Sequence, residues 1–306
     1  MIPQFPEFKK LELSDREEIL LITKNFPPYS DFDFGSLWAW DFFNAMQISC
    51  LHKNLVIKFT DYLSGEYFFT FIGANNINET AKTLLQYAKE AGVETTLKLI
   101  PQSMMEKMDS TLFSITKDPD NTDYVISVNN LTTYPGPDFS AKRRAVSLFE
   151  RDVKEYRFEP IDLSSQKTIL DIDKLFIQWH TQKIEDGASA SSNDSSHEYI
   201  AMNRCIQSAP ALNLESFGLY IGDQLKAFWI LGVLGDGYGI SHFEKADTKK
   251  YQGIFPFFKK LVAVELLKKG MLAINLEQDL GIPGLRQSKN AYFPTEFLKK
   301  YQVTLR

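Results

Sequence analysis

The apolar residues change their spacing along the chain, and each change marks an element. In the C-terminal half two helical stretches, 167–185 and 197–208, come first. Residues 217–221 are a short apolar run closed by Gly222-Asp223, and 225–234 a longer one closed by Asp236-Gly237. Runs of this length between turn dipeptides predict strands joined by hairpins, with 238–244 as the third strand. After a loop over 245–253, Phe255, Phe258, Val262 and Leu266 recur at intervals of three and four, one face of a helix. Gly270 stops that helix behind Lys268 and Lys269, cations that suit the C-terminal end of the dipole. Residues 272–276 predict a fourth strand and 284–290 a short helix.

The N-terminal half repeats this order. Helices are predicted near 15–24 and 34–43, then strands over 47–51, 55–60 and 67–72. Asn78 can cap a helix carrying Ala81, Leu84, Leu85 and Ala88 and ended by Gly92. Residues 95–100 form the next strand, and Pro101 opens another short helix. Helix, helix, three-strand meander, helix, strand, helix thus occurs twice, without matching residue identity. The fold class expected is α+β, mixed sheets flanked by helices, with domains over 1–135 and 136–306 divided near Pro135-Gly136-Pro137. Each strand that follows the meander and its helix should run parallel to its neighbour. The segment 186–196 offers no large apolar residue and is expected to be a mobile loop.

Composition narrows the class. A net charge of −5 argues against a general binder of nucleic acid or anionic membranes. Cys50 and Cys205 cannot build a thiolate cage, and no apolar run approaches the ~20 residues of a membrane helix. A cytoplasmic protein is the expectation. His52, His180, His197 and His242 lack ligand spacing, so no metal is expected. The dense aromatics around 26–43 and 255–258 are expected to pack cores.

Several polar groups are candidates for chemistry. His242 and Glu244 lie two apart on a predicted strand, so strict alternation would put both on one face, as an acid–base pair or as a plain surface pair. Asn275, Glu277, Asp279, Arg286 and Lys289 crowd the next strand and its outgoing turn, where they are either a substrate-binding set or, for Arg286, an anchor of the turn. The stretch Lys250 to Phe255 joins a strand to a helix, where Gly253 would let a phosphate approach the backbone, although Phe255 is bulky. Lys142, Arg143 and Arg144 open a helix as a solvated face or a grip on donor phosphates. The glycine-rich 232–239 lies between two strands and reads as a hairpin.

The segments Ile240-Ser241-His242-Phe243-Glu244-Lys245-Ala246 and Asn275-Leu276-Glu277-Gln278-Asp279-Leu280-Gly281-Ile282-Pro283-Gly284-Leu285-Arg286 resemble a bacterial family related to the C-terminal domain of phosphatidylglycerol lysyltransferases. Tyr29-Ser30-Asp31-Phe32 and Leu37-Trp38-Ala39-Trp40 fit the same family. The resemblance implies two tandem N-acetyltransferase-like (GNAT) folds, which agrees with the repeated pattern. It also implies an acyl- or aminoacyl-transferase, in whose relatives an aminoacyl group moves from a charged tRNA to a lipid. The implied donor is an acyl-CoA or an aminoacyl-tRNA, and the acceptor a small molecule or a lipid head group. The alternative is a non-enzymatic binding module on a degenerate GNAT fold.

Overall fold

The computed structural model describes residues 1–41, 43–62, 64–185 and 192–306, with side chains undescribed at 192–195. The mobility expected over 186–196 therefore concerns, at 186–191, residues outside the described ones. The first stretch of chain runs β1 (Lys9–Lys10), α1 (Arg16–Thr23), α2 (Phe34–Trp40), β2 (Gln47–Leu51), β3 (Asn54–Thr60), β4 (Tyr67–Ile72), α3 (Ile77–Glu90), β5 (Leu97–Pro101), α4 (Gln102–Met105) and β6 (Phe113–Ser127). The rest runs α5 (Val128–Thr133), α6 (Ser140–Asp152), β7 (Arg157–Pro160), α7 (Gln166–Glu185), α8 (Ser192–Gln207), β8 (Leu214–Ile221), β9 (Gln224–Val233), β10 (Tyr238–Ala246), α9 (Ile254–Lys268), β11 (Ala273–Asn275), α10 (Pro283–Asn290) and β12 (Glu296–Leu305).

These elements form two compact units that are not contiguous in sequence. One holds Met1–Tyr124, Glu277–Gln287 and Phe297–Arg306; the other holds Val125–Leu276 and Ser288–Glu296. In the first unit β2, β3 and β4 form the antiparallel meander, with Ile48 opposite Ile57 and Val56 opposite Phe71. Helix α3 crosses back so that β5 lies parallel to β4, Leu97 beside Phe69. It buries Ile77, Ala81, Leu84, Leu85 and Ala88, a stripe at helical spacing. Each buried Leu there is worth about 1.5–3 kcal/mol of transfer free energy. Phe32, Phe34, Phe59, Phe69 and Phe71 fill this core, while Phe43 is exposed.

In the second unit β8, β9 and β10 repeat the meander, and α9 returns the chain to β11, parallel to β10 with Asn275 beside Ile240. Phe257, Phe258, Val262 and Leu266 of α9 are buried. The antiparallel meanders and the parallel fourth strands agree with expectation.

Each copy's last strand is spent differently from a simple repeat. The end of β6 leaves the first unit and pairs antiparallel with β11, Ile126 opposite Ile274. The chain's final strand, β12, pairs antiparallel with β5, Tyr301 opposite Ile100, and so belongs to the first unit. The first unit thus takes in the chain's final strand and the second the last three residues of β6, so neither unit is one contiguous stretch.

Candidate functional site

Strand β10 carries the first two candidates. It pairs with β9 as Ser241 opposite Leu231 and then Phe243 opposite Ile230, so His242 is an extra residue, a β-bulge. Glu244 stands opposite Trp229 and shares its face. A Cβ on Gly232, the partner of Ile240, would lie 2.6 Å from His242 Nε2, so the imidazole lies on the other face. The shared face expected of His242 and Glu244 is thereby corrected, because the period of two holds only while pairing is one to one.

A cluster of charged groups and aromatic rings surrounds Glu244. Lys259 projects from α9 with its side chain 2% exposed, and its Nζ lies 2.5 Å from Glu244 Oε2. The same ammonium is 4.2 Å from the centroid of the Trp229 ring and 4.7 Å from that of Tyr292. Glu244 Oε2 and Lys259 Nζ are both sealed from solvent and meet as an ion pair without a well-formed hydrogen bond, while the Glu244 side chain as a whole is 30% exposed. Tyr134 and Tyr292 are buried beside it, and burial, with the Glu244 charge, pushes both phenols well above the usual range. The Tyr134 hydroxyl donates to the Pro256 carbonyl at 2.8 Å, which ties α5 to α9.

The basic triplet separates into three environments. Lys142 Nζ lies 3.8 Å from the centroid of the Tyr292 ring. Burial, then the Lys259 charge, push its pKa down to about 8 against the opposing pull of Glu244. Arg143 donates to the carbonyls of Tyr134 and Gly136, capping the end of α5. Arg144 is exposed.

Gly253 has φ +80°, and a Cβ there would come within 1.9 Å of the Ala145 carbonyl oxygen. The glycine is therefore required by the close approach of α6 to the start of α9.

Strand β11 places Asn275 in the core between Ile240 and Val125, and Lys289 donates to the Leu276 carbonyl at 2.5 Å. Beyond it the candidates belong to the other unit, so the set around the turn is divided. Glu277 has φ +62°, so the extended strand has ended before it. Its carboxylate accepts from Ser36 Oγ at 3.1 Å. Asp279 is buried and takes two hydrogen bonds from Arg286, both 2.9 Å, one from Gly281 N–H at 2.8 Å, and one from the Tyr124 hydroxyl. Burial alone would raise its pKa; the Arg286, Tyr124 and Gly281 bonds outweigh that and hold it below the usual carboxylate range. Arg286 also reaches Asp120 at 2.7 Å, so it anchors this turn.

The first unit holds a cluster that the sequence reading did not single out. Lys300 of β12 is buried and donates to Asp31, to Asp123 at 2.7 Å and to Ser30 Oγ at 3.2 Å. Ser30 N–H donates to Asp123 at 2.8 Å, and Gln278 Nε2 to Asp31 at 3.1 Å. Burial raises Asp31 to about 6, with Lys300 pulling it down and Asp123 pushing it further up. Burial works against the Lys300 charge, but the two carboxylates outweigh it and raise its pKa. The signal available in the sequence was one lysine at an inward position of an alternating strand.

Among the described residues no group of three or more His, Cys, Asp or Glu is placed to hold a metal. Among them too, no helix is long and apolar enough to cross a membrane.

A family model for the C-terminal region of phosphatidylglycerol lysyltransferase matches residues 23–304. The chain belongs to this family. Among solved structures, a conserved protein of unknown function from Bacteroides thetaiotaomicron is 26% identical, covers 100% of both chains and superposes with a TM-score of 0.82. L-PGS from Bacillus licheniformis is 12% identical over 99% of this chain and 93% of its own, with a TM-score of 0.62. FemX is 9% identical over 98% of this chain and 97% of its own, with a TM-score of 0.57. At these lower identities the likeness shows the fold alone. No curated protein sequence matches significantly. Family membership makes this an aminoacyl- or acyl-transferase-like chain related to the lysyltransferase C-terminal region.

Proposed function

We propose that this family member transfers an acyl or aminoacyl group to an amine or hydroxyl acceptor, each compact unit being one GNAT-like copy and the working face that of β10 under α9. The acceptor attacks the donor's ester or thioester carbonyl directly, and Glu244 takes the acceptor's proton. One observation carries this reading: Glu244 is paired through its buried Oε2 with buried Lys259, while its side chain remains 30% exposed. A base held by one oxygen is oriented without being consumed. The bulge leaves His242 on the opposite face, so of the two candidates Glu244 is the base at this site. Arg144, exposed on α6, and half-buried Lys142 over the Tyr292 ring are the cations available to the donor's phosphates. Asn275 and Lys289 of the same unit support the acceptor's side through the framework of β11, and Glu277, Asp279 and Arg286 serve the turn that follows.

The family's name makes a lysyl-tRNA donor and a phosphatidylglycerol acceptor the first pair to test. A second reading, a binding module that has lost donor chemistry, draws on one specific feature. The Ala145 carbonyl packs on Gly253, and Phe255 and Pro256 open α9, so few backbone N–H groups remain for a pyrophosphate. Labelled lysyl-tRNA and labelled acetyl-CoA, incubated separately with micromolar protein, discriminate the readings. Retention of either supports transfer; retention of neither supports the binding module.

A further inference from the structure

Most inward-facing lysines of this chain are matched to carboxylates. Lys226 faces Asp247 at 3.3 Å, Lys245 faces Glu198 at 2.5 Å, Lys259 faces Glu244, and Lys300 faces two aspartates. Lys142 is different. It is half-buried on the Tyr292 ring and donates no hydrogen bond to a protein acceptor among the described residues. Its ionised neighbours are Glu244 of β10 and Lys259 of α9, and that carboxylate is already taken by Lys259. Two ammonium groups thus lie against the one Tyr292 ring, with only Lys259 directly paired to the carboxylate and the buried Trp229 ring beside Lys259. A lysine withdrawn from water beside a second cation is the arrangement that favours the neutral amine.

We propose that Lys142 is a nucleophilic lysine and a site of self-acylation by thioesters and activated esters. The neutral Nζ attacks the carbonyl carbon, and a C–N amide bond forms as the C–S or C–O bond breaks. The departing thiolate or alkoxide takes up a proton from solvent, and the nitrogen gives up one to solvent, so charge and atoms balance. No oxidant, metal or further reactant is involved. The product is a neutral amide, which removes one of the two positive charges facing Glu244.

The size of the effect follows from the populations. With a pKa of about 8, roughly a tenth of Lys142 is neutral at pH 7, against on the order of one in a few thousand for an ordinary lysine. A weaker base is also a weaker nucleophile, which returns part of that gain, so an advantage on the order of tenfold remains.

The test is acetylation of the full chain by a limiting amount of S-acetyl-N-acetylcysteamine, a small thioester with no nucleotide, between pH 6 and 10, followed by peptide mass spectrometry. Lys142 should be acetylated on the order of tenfold faster at pH 7 than the exposed Lys10 and Lys53. Its rate should level off above about pH 9, while theirs keep rising. Glu244→Gln, which removes the one negative charge supporting the ammonium, should speed Lys142 at pH 7. Labelling of Lys142 at the rate of Lys10 and Lys53, a rate still climbing at pH 10, or slowing in Glu244→Gln would each overturn the proposal. Because the probe needs no donor site, failure here leaves the transferase reading standing, and failure of transfer leaves this one standing.

Discussion

Replacing Lys300 by Met is the sharpest perturbation of the first unit. Methionine matches the stem of lysine in length, so packing of β12 beside β5 is retained and the loss is electrostatic. The substitution removes donations to Asp31, Asp123 and Ser30 and leaves two fully buried carboxylates with no cation. Removing one partner of a buried ion pair costs about 3–5 kcal/mol. With a urea m-value of about 2 kcal/mol/M, the midpoint should fall by about 1.5–2.5 M at pH 7. The pH dependence supplies a second signature. Asp31 has a folded pKa raised to about 6, so its favourable contribution is complete below the unfolded value near 3.8 and is lost as pH rises through 6. In Lys300→Met the Asp31 carboxyl loses the cation that pulls it down and rises further, so the defect should shrink as pH is lowered from 7 toward 5. Urea unfolding followed by circular dichroism at both pH values reads both effects. A midpoint shift below 0.5 M at pH 7, or a defect unchanged at pH 5, would refute the reasoning.

Two further substitutions separate anchoring from chemistry. Arg286→Ala deprives buried Asp279 of its two 2.9 Å bonds, and because the guanidinium is 43% exposed the loss should be modest, seen as a fall of a few degrees in Tm; an unchanged Tm would mean that the turn holds without it. Gly253→Ala forces a methyl to within 1.9 Å of the Ala145 oxygen at a positive φ, and should cost about 2–4 kcal/mol in thermal unfolding, whereas wild-type stability would show that α6 does not close on α9 as described.

What was legible in the sequence follows from what local pattern encodes. The doubled order of helices, meander and parallel strand was readable because each of its strands is an apolar run between turn residues, and each amphipathic helix repeats at three and four. Strand β6 was not, because Asp118, Pro119, Asp120 and Asn121 interrupt it midway. Strand β12 hid behind Lys299 and Lys300, the latter inward-facing and matched only by residues 177 and 269 positions away in the chain. For the same reason the return of the final strand to the first unit was invisible, since nothing local marks which strand it will pair with. Glu244 was found as a polar residue in an apolar strand, but its partner Lys259 sits on a helix face that otherwise reads as apolar. The bulge at His242 left no mark in the sequence, and the left-handed turn at Glu277 left none either.

The central claim is that Glu244 is the base of a transfer reaction at the β10 face. Wild-type protein and Glu244→Gln are each incubated with labelled lysyl-tRNA or labelled acetyl-CoA, with phosphatidylglycerol vesicles and with free lysine as acceptors, and label in the acceptor is measured beside donor binding and Tm. The account predicts transfer by the wild type with at least one donor, and a loss of about 100-fold or more in Glu244→Gln with binding and Tm retained. Transfer by Glu244→Gln at the wild-type rate, or none by the wild type with either donor, would contradict it.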